Sequence, residues 1–203
     1  MLIVIAINRL LTKQQLYFSR QFHWLDYAFC FVIILMAVPF LPTKDLTTSI
    51  VVGLMGGFSE EFLARGVLLG KLTGYFVRKK YSLGRIFAAI FWSNLIFALM
   101  HFTNLGQSGL NYVLLQSILA FISGLAFSVI YLQTGSLWYP IALHFMDDFM
   151  RTAHDTGATA GGQFGLWALA AMTWLKVGIF IYALVTWRKK KPALVRLVEQ
   201  QDY

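Results

Sequence analysis

Long apolar stretches, interrupted by only a few polar residues, follow one another along most of the chain. A transmembrane α-helix needs about 20 mainly apolar residues. Six stretches approach or exceed this length, at about 24–42, 48–74, 86–104, 111–133, 137–152 and 164–187. The fifth is short, which fits a tilted or re-entrant segment. The pattern predicts an all-α fold, a polytopic bundle of about six transmembrane helices, with no room for a separate soluble domain.

The composition supports a membrane protein. Hydrophobic residues make up 58% of the 203 residues and charged residues 13%. Soluble domains average about 45–50% apolar and roughly 25% charged residues. The one cysteine, Cys30, lies in an apolar stretch and allows no internal disulfide.

The formal net charge of +8 is concentrated in two basic clusters. They comprise Arg78, Lys79, Lys80 and Arg85 in a loop, and Arg188, Lys189, Lys190, Lys191 and Arg196 in the tail. Basic clusters can bind nucleic acid, but beside long apolar runs they are typical of cytoplasmic loops that contact anionic lipid. We therefore expect the lipid bilayer as a partner and no nucleic acid.

Basic residues also distinguish alternate connections between the apolar stretches. The start, the loop near 75–85 and the tail are basic, whereas the opposite connections hold few basic residues. This alternation predicts a multi-pass protein with both termini in the cytoplasm. The chain then divides into an interfacial segment at 1–23, a membrane-embedded domain at 24–187 and a basic tail at 188–203.

Two carboxylates and a guanidinium interrupt the second stretch, at Glu60, Glu61 and Arg65. Ionisable groups within a membrane span are costly and are functional candidates by default. Glu61 and Arg65 are four residues apart and can pair on one helical face. Glu60 is left without that partner and can act as a general base. Alternatively, the three residues form a buried ion network that holds helices together.

Two of the four histidines also fall in apolar stretches. His101 follows Phe97 by one turn, and His144 precedes Asp148 by one turn. The second spacing lets a carboxylate orient an imidazole, or lets both side chains reach one ligand. A lone histidine such as His101 is more often a hydrogen-bonded helix contact, so the joint occurrence carries the functional interpretation.

Two further charges lie near this group. Lys176 lies in the middle of the sixth stretch. It could extend its ammonium group to the membrane surface, but we expect a structural ion pair with Asp147 or Asp148. A solvated helix end is the plausible alternative for Asp147.

The estimated depths of Glu60 and His101 in the membrane differ, which argues against their lying side by side. Counted at about 1.5 Å per residue, Glu60 lies about 18 Å from the outer end of its span, whereas His101 lies nearer the outer face. Glycines at 53, 56 and 57 could break or tilt the second span.

The ordered set of motifs resembles the CPBP family (also called Abi), membrane proteases related to type II CAAX prenyl endopeptidases and bacteriocin-processing proteins. The family pattern is Glu-Glu-x-x-x-Arg, then Phe-x-x-x-His, then His-x-x-x-Asn/Asp. The corresponding residues here are Glu60-Glu61 to Arg65, Phe97 to His101, and His144 to Asp148. The flanking runs 66–69 and 134–140 are also similar, and the resemblance covers about residues 50–150.

The resemblance implies an intramembrane endopeptidase acting on membrane-associated or prenylated, CAAX-type peptides, in the cell membrane of a prokaryote. It implies that Glu60 and His101 activate a water molecule for attack on a peptide carbonyl. His144 and Asp148 would stabilise the oxyanion or orient the site. Supporting roles would fall to Glu61, Arg65 and Phe97.

One position departs from the better-studied eukaryotic relatives, which have asparagine where this chain has Asp148. An ionised aspartate cannot donate to an oxyanion. Asp148 must therefore be protonated, bind a metal or only orient His144. A divalent metal such as zinc could be held by His101, His144, Glu60 and Asp148. We favour a mechanism that requires no cofactor, because Glu60 then has a clear role.

Two other functions are alternatives to proteolysis. The same fold could serve as a catalytically silent membrane regulator or a bacteriocin-immunity scaffold, with the polar residues holding helices together. A transporter is less consistent with the sequence, which shows neither paired broken helices nor a repeat.

Overall fold

A computed structural model of the chain describes residues 2–18, 24–38, 41, 44–77, 80–155 and 163–199. The described residues are mostly helical, and no strand occurs among them. In chain order the α-helices are α1 (Leu2–Ile7), α2 (Trp24–Ala37), α3 (Leu46–Leu54), α4 (Gly70–Val77), α5 (Leu83–Met100), α6 (Leu110–Thr134), α7 (Trp138–Asp155), α8 (Gln163–Thr186) and α9 (Ala193–Glu199). Three segments are π-helical, Asn8–Thr12, Met55–Glu60 and Phe62–Leu69, and His101–Gly106 is a 3-10 helix.

The predicted all-α architecture is confirmed, since helix covers most of each of the six apolar stretches. Among the described residues, two helices are both long and apolar enough to cross a membrane, Leu83–Gly106 and Leu110–Thr134. The number of six spans stays a prediction.

Local sequence signals determine where several helices begin and end. Asp45 precedes α3, and its carboxylate accepts hydrogen bonds from the side-chain hydroxyl and the backbone N–H of Thr48 at 2.6 and 2.9 Å. These two bonds, the side-chain bond above all, lower the pKa of the Asp45 carboxyl. The Ser82 hydroxyl caps α5 by accepting a hydrogen bond from the backbone N–H of Arg85. Gly135 ends α6 at a φ of 68°, in the left-handed region that glycine adopts without strain.

The second predicted span packs closely against α7 because small residues line their contact. A Cβ atom at Gly53 would lie 2.8 Å from the carbonyl oxygen of Phe145, and one at Gly57 would lie 2.8 Å from that of Ile141. Small residues let helix backbones approach in this way within membranes. The close approach brings the polar residues of the second span next to those of α7.

Part of the predicted interfacial segment packs into the bundle. Gln14 is only 3% exposed and lies against Gly70. The carbonyl oxygen of Tyr17 accepts a hydrogen bond from the backbone N–H of Leu137 at 3.0 Å. Residues 13–18 are thus held against the helices that build the site. Residues 19–23 lie outside the described part of the chain.

The C-terminal end also docks on the bundle. The indole N–H of Trp187 donates to the side-chain oxygen of Gln133 at 2.6 Å. Helix α9 buries Leu194, Val195 and Val198. Residues 200–203 of the basic tail, and Arg78 and Lys79 of the basic loop, lie outside the described residues.

Candidate active site

The segment that carries the two glutamates is not a regular α-helix. The chain leaves α3 at Leu54 and continues in π-helical turns over Met55–Glu60 and Phe62–Leu69 before α4 begins. π-Helical segments are rare and are frequent at functional sites. Glu60 and Arg65 lie within these wider turns, and Glu61 lies between them.

Glu61 is the centre of a buried ion network. Its Oε1 atom accepts hydrogen bonds from Arg65 Nη1 at 2.8 Å and from His144 Nδ1 at 2.6 Å. The side chains of Glu61 and Arg65 are 0% and 1% exposed. The predicted Glu61–Arg65 pair is confirmed, and it extends to α7 through His144. Because Nδ1–H of His144 is donated to Glu61, the Nε2 atom of the imidazole is left for the cavity.

Side chains from α5 and α6 hold the Arg65 guanidinium in place. Nη2 of Arg65 donates to Asn94 Oδ1 at 3.2 Å, and Asn94 Nδ2 donates to Ser128 Oγ at 2.9 Å. The guanidinium carbon also lies 4.9 Å from the ring centre of Phe97 and 5.4 Å from that of Phe127. These contacts fix Arg65, and through it Glu61, against α5 and α6.

His101 begins the 3-10 helix that follows α5. Its Nδ1 atom lies 3.0 Å from the carbonyl oxygen of Phe97. A carbonyl oxygen can only accept, so Nδ1 carries the proton and Nε2 is free to accept one. The Phe97 and His101 rings meet edge to face at 4.9 Å between centres. Phe97 therefore fixes both the tautomer and the orientation of His101.

The opposite side of His144 faces two carboxylates. Its Nε2 atom lies 3.5 Å from Asp148 Oδ2 and 3.8 Å from Glu60 Oε2. The Glu60 side chain is 42% exposed and that of Asp148 is 27% exposed. Both contacts are longer than a strong hydrogen bond, so the two carboxylates have room to accept a proton or bind a ligand.

Gly56 makes this arrangement possible. A Cβ atom built there would collide with the Asp148 carboxylate and lie 3.3 Å from His144 Nε2. The side chains of α7 therefore occupy the space that a larger residue at position 56 would fill.

The four predicted catalytic residues open onto one cavity of about 630 Å³. Glu60, His101, His144 and Asp148 all line it, although they come from three separate parts of the chain. The expectation that these groups converge is confirmed, and the depth mismatch does not keep them apart. Apolar side chains of α6, including Leu115 and Leu119, form another part of the wall.

A second ion pair lies beside the cavity. Lys176 Nζ of α8 donates to Asp147 Oδ2 at 2.8 Å and to Ser123 Oγ at 2.9 Å. Both charged residues are buried, at 5% exposure each. The predicted ion pair of Lys176 is confirmed with Asp147 as its partner, and the alternative of a solvated Asp147 is wrong. The pair ties α8 to the helix that carries His144.

The arrangement of the acidic and histidine side chains bears on whether the site can hold a metal ion. Within the described part of the chain, no group of three or more histidine, cysteine, aspartate or glutamate side chains is arranged to hold a metal ion. We therefore derive no step through a metal.

Sequence reasoning missed Asn94 and Ser128. Both are buried polar residues within apolar stretches, at 1% and 0% exposure. Asn94 lies seven residues before His101, which places the two residues on nearly the same face of a regular helix. That spacing was a signal that could have identified it.

Comparison with known proteins identifies the class to which this helical site belongs. The model of the family described as type II CAAX prenyl endopeptidase Rce1-like matches residues 42–150, more than half of the chain. The chain therefore belongs to this family, which is membrane-embedded and whose members are typically proteases. No curated protein and no solved structure matches it.

Proposed function

We propose that the protein is an intramembrane endopeptidase that hydrolyses membrane-associated or prenylated, CAAX-type peptides with a water molecule activated by Glu60 and His101. The observation that carries the proposal is the shared cavity of Glu60, His101, His144 and Asp148. Within it, both imidazoles have Nδ1 committed to other partners, so their Nε2 atoms are available for chemistry.

In the proposed reaction, the Glu60 carboxylate takes a proton from water while Nε2 of His101 accepts the second water hydrogen as a hydrogen bond. The water oxygen bonds to the peptide carbonyl carbon, and the carbonyl oxygen becomes an oxyanion. Glu60 then transfers its proton to the amine nitrogen as the carbon–nitrogen bond breaks. General acid–base catalysis of this kind contributes about 10²- to 10⁴-fold.

His144 stabilises the oxyanion in this scheme. In its doubly protonated form it donates Nδ1–H to Glu61 and Nε2–H to the oxyanion. Asp148, 3.5 Å from Nε2, orients the ring rather than donating to the substrate. The scheme thus assigns Asp148 the orienting role among the three that the sequence left open, and it requires no metal. Its setting is a multi-pass protein of the prokaryotic cell membrane with both termini cytoplasmic.

The test compares Glu60→Gln with wild type, each purified and reconstituted in liposomes, on a fluorogenic farnesylated peptide with a CAAX-type end. We expect a loss of about 10²- to 10⁴-fold in kcat. Glu199→Gln is the matched control, because Glu199 pairs with Lys191 and does not line the cavity. A chelator arm tests whether zinc supports the activity.

A second readout does not depend on the chosen peptide. Membrane peptides that accumulate in cells with Glu60→Gln, but not with Glu199→Gln, identify natural substrates. Equal peptide profiles and equal cleavage for wild type and Glu60→Gln would favour a catalytically silent membrane regulator or a bacteriocin-immunity scaffold.

A further inference from the structure

Several of the hydrogen-bond donors around the cavity are committed to protein partners. Arg65 donates to Glu61 and Asn94, and both histidine Nδ1 atoms are engaged. Carboxylates, in contrast, are plentiful and can only accept when ionised. A peptide that enters the cavity loses water from its carbonyl oxygens, and these oxygens need new donors.

Gln116 of α6 is the carboxamide among the described residues that line the cavity. Its Oε1 atom accepts a hydrogen bond from Asn104 Nδ2 at 3.0 Å. With the oxygen engaged in this way, the Nε2 group of Gln116 still offers its N–H donors to a ligand.

Asn104 is held firmly enough to set this orientation. Its carbonyl oxygen accepts the backbone N–H groups of Gln107 and Ser108, both at 2.9 Å. It lies three residues after His101 in the same 3-10 helix, and side chains at this spacing share a face. The Asn104–Gln116 bond therefore lies on the side of the cavity where His101 lies.

We infer that Gln116 binds a main-chain carbonyl of the peptide substrate through Nε2, and that Asn104 is the positioning residue that turns this donor towards the cavity. The inference rests on the proposed function. It adds a substrate-binding residue outside the three motifs, in a helix whose other cavity-lining residues are mostly apolar.

Two substitutions remove the N–H donor of Gln116 from the cavity while keeping the Asn104–Gln116 contact. Gln116→Glu keeps an acceptor for Asn104 but offers no N–H to the substrate. Asn104→Asp accepts from Gln116 Nε2 and so turns the Gln116 oxygen into the cavity. Both preserve the Asn104–Gln116 contact. Gln107→Glu is the control, because it adds the same charge at an exposed residue that does not line the cavity.

The measurement is the cleavage of the fluorogenic farnesylated peptide in liposomes. We expect KM to rise about five- to tenfold in Gln116→Glu and in Asn104→Asp, the size expected for one neutral hydrogen bond, with kcat within about twofold. Gln107→Glu should retain the wild-type KM. Gln116→Met, which removes the donor without adding charge, should show the same rise in KM.

Ester-containing peptides provide a readout that a merely structural role would not change. An ester carbonyl is a weaker acceptor than an amide carbonyl. The amide-to-ester replacement that raises KM for wild type should have no further effect in Gln116→Glu. Wild-type KM in Asn104→Asp, or an equal ester effect in wild type and Gln116→Glu, would overturn the inference. The Glu60→Gln variant distinguishes failure of this inference from failure of the proposed function. If Glu60→Gln still cleaves the peptide, the proposed function fails. If Glu60→Gln is inactive but the KM of Gln116→Glu equals that of wild type, only this inference fails.

Discussion

Glu60 and Glu61 are neighbours in the chain, yet the structure gives them opposite surroundings. Glu61 is fully buried and bonds Arg65 and His144 at 2.8 and 2.6 Å. The Glu60 side chain is 42% exposed, and its contact with His144 is 3.8 Å long. One imidazole thus separates a closed, ion-paired side of the site from an open side.

The difference shows how a membrane site can hold charge for two purposes. A buried charge is tolerated only when it is paired and hydrogen-bonded, so Glu61 is bound to the scaffold. A carboxylate that acts as a general base, the role proposed for Glu60, must instead be accessible, and the Glu60 side chain is. In the proposed reaction, the closed side holds His144 in place while the groups of the open side contact the substrate.

Breaking the closed side should have the largest effect. Glu61→Leu leaves the Arg65 guanidinium buried without its carboxylate, and we expect the free energy of unfolding to fall by about 3–5 kcal/mol. Thermal unfolding of the purified protein in detergent measures this loss.

The double variant Glu61→Leu with Arg65→Met should recover most of that stability, because paired removal of a buried ion pair is often close to neutral. It should not recover peptide cleavage, since His144 Nδ1 lacks its acceptor. Glu60→Gln should change the unfolding free energy by no more than about 0.5 kcal/mol. A similar destabilisation by both glutamate substitutions would contradict the distinction between the two sides.

Crowding the open side should have an intermediate effect. A methyl group at Gly56 would meet the Asp148 carboxylate and approach His144 Nε2. We expect Gly56→Ala to lower kcat about 10²-fold, the size expected for misplacing catalytic groups by about 1 Å. Gly178→Ala in α8 is the control, because no heavy atom lies within 4 Å of a Cβ atom there. Unchanged cleavage by Gly56→Ala would show that the Asp148–His144 geometry is unimportant.

The smallest effect should come from Asp148→Asn, which introduces the residue of the eukaryotic relatives. Before an oxyanion forms, the amide oxygen can still accept from His144 Nε2, so the contact that orients the ring for the reaction remains. We expect kcat/KM within about threefold of wild type, since one neutral hydrogen bond contributes about 1 kcal/mol. Asp148→Ala should lose more, because it removes the contact. If Asp148→Asn abolishes cleavage, the negative charge of the Asp148 carboxylate is itself required.

Local spacing predicted much of the site. The four-residue intervals of Glu61–Arg65 and His144–Asp148 place partners on one helical face, and the structure shows both contacts. The all-α fold followed from the length of the apolar stretches. The ion pair of Lys176 followed from the cost of an unpaired charge within a span.

Contacts between helices were harder to predict because they depend on packing. The shortest contact of His144 is with Glu61, 83 residues away, rather than with Asp148 on its own helix. The π-helical turns from Met55 were not predicted, since the apolar run around them is compatible with a regular helix. Asn94 was missed because a single polar residue in an apolar stretch does not reveal its partner.

The Lys176–Asp147 pair shows that the site depends on a residue outside the stretch matched by the family model. The family match ends at residue 150, yet the ammonium that neutralises Asp147 comes from α8, beyond that boundary. A fragment trimmed to the matched stretch would carry a carboxylate shielded from water with its counter-charge removed, right beside Asp148. A shortened or transplanted form of this protein must therefore include α8 together with the three motifs.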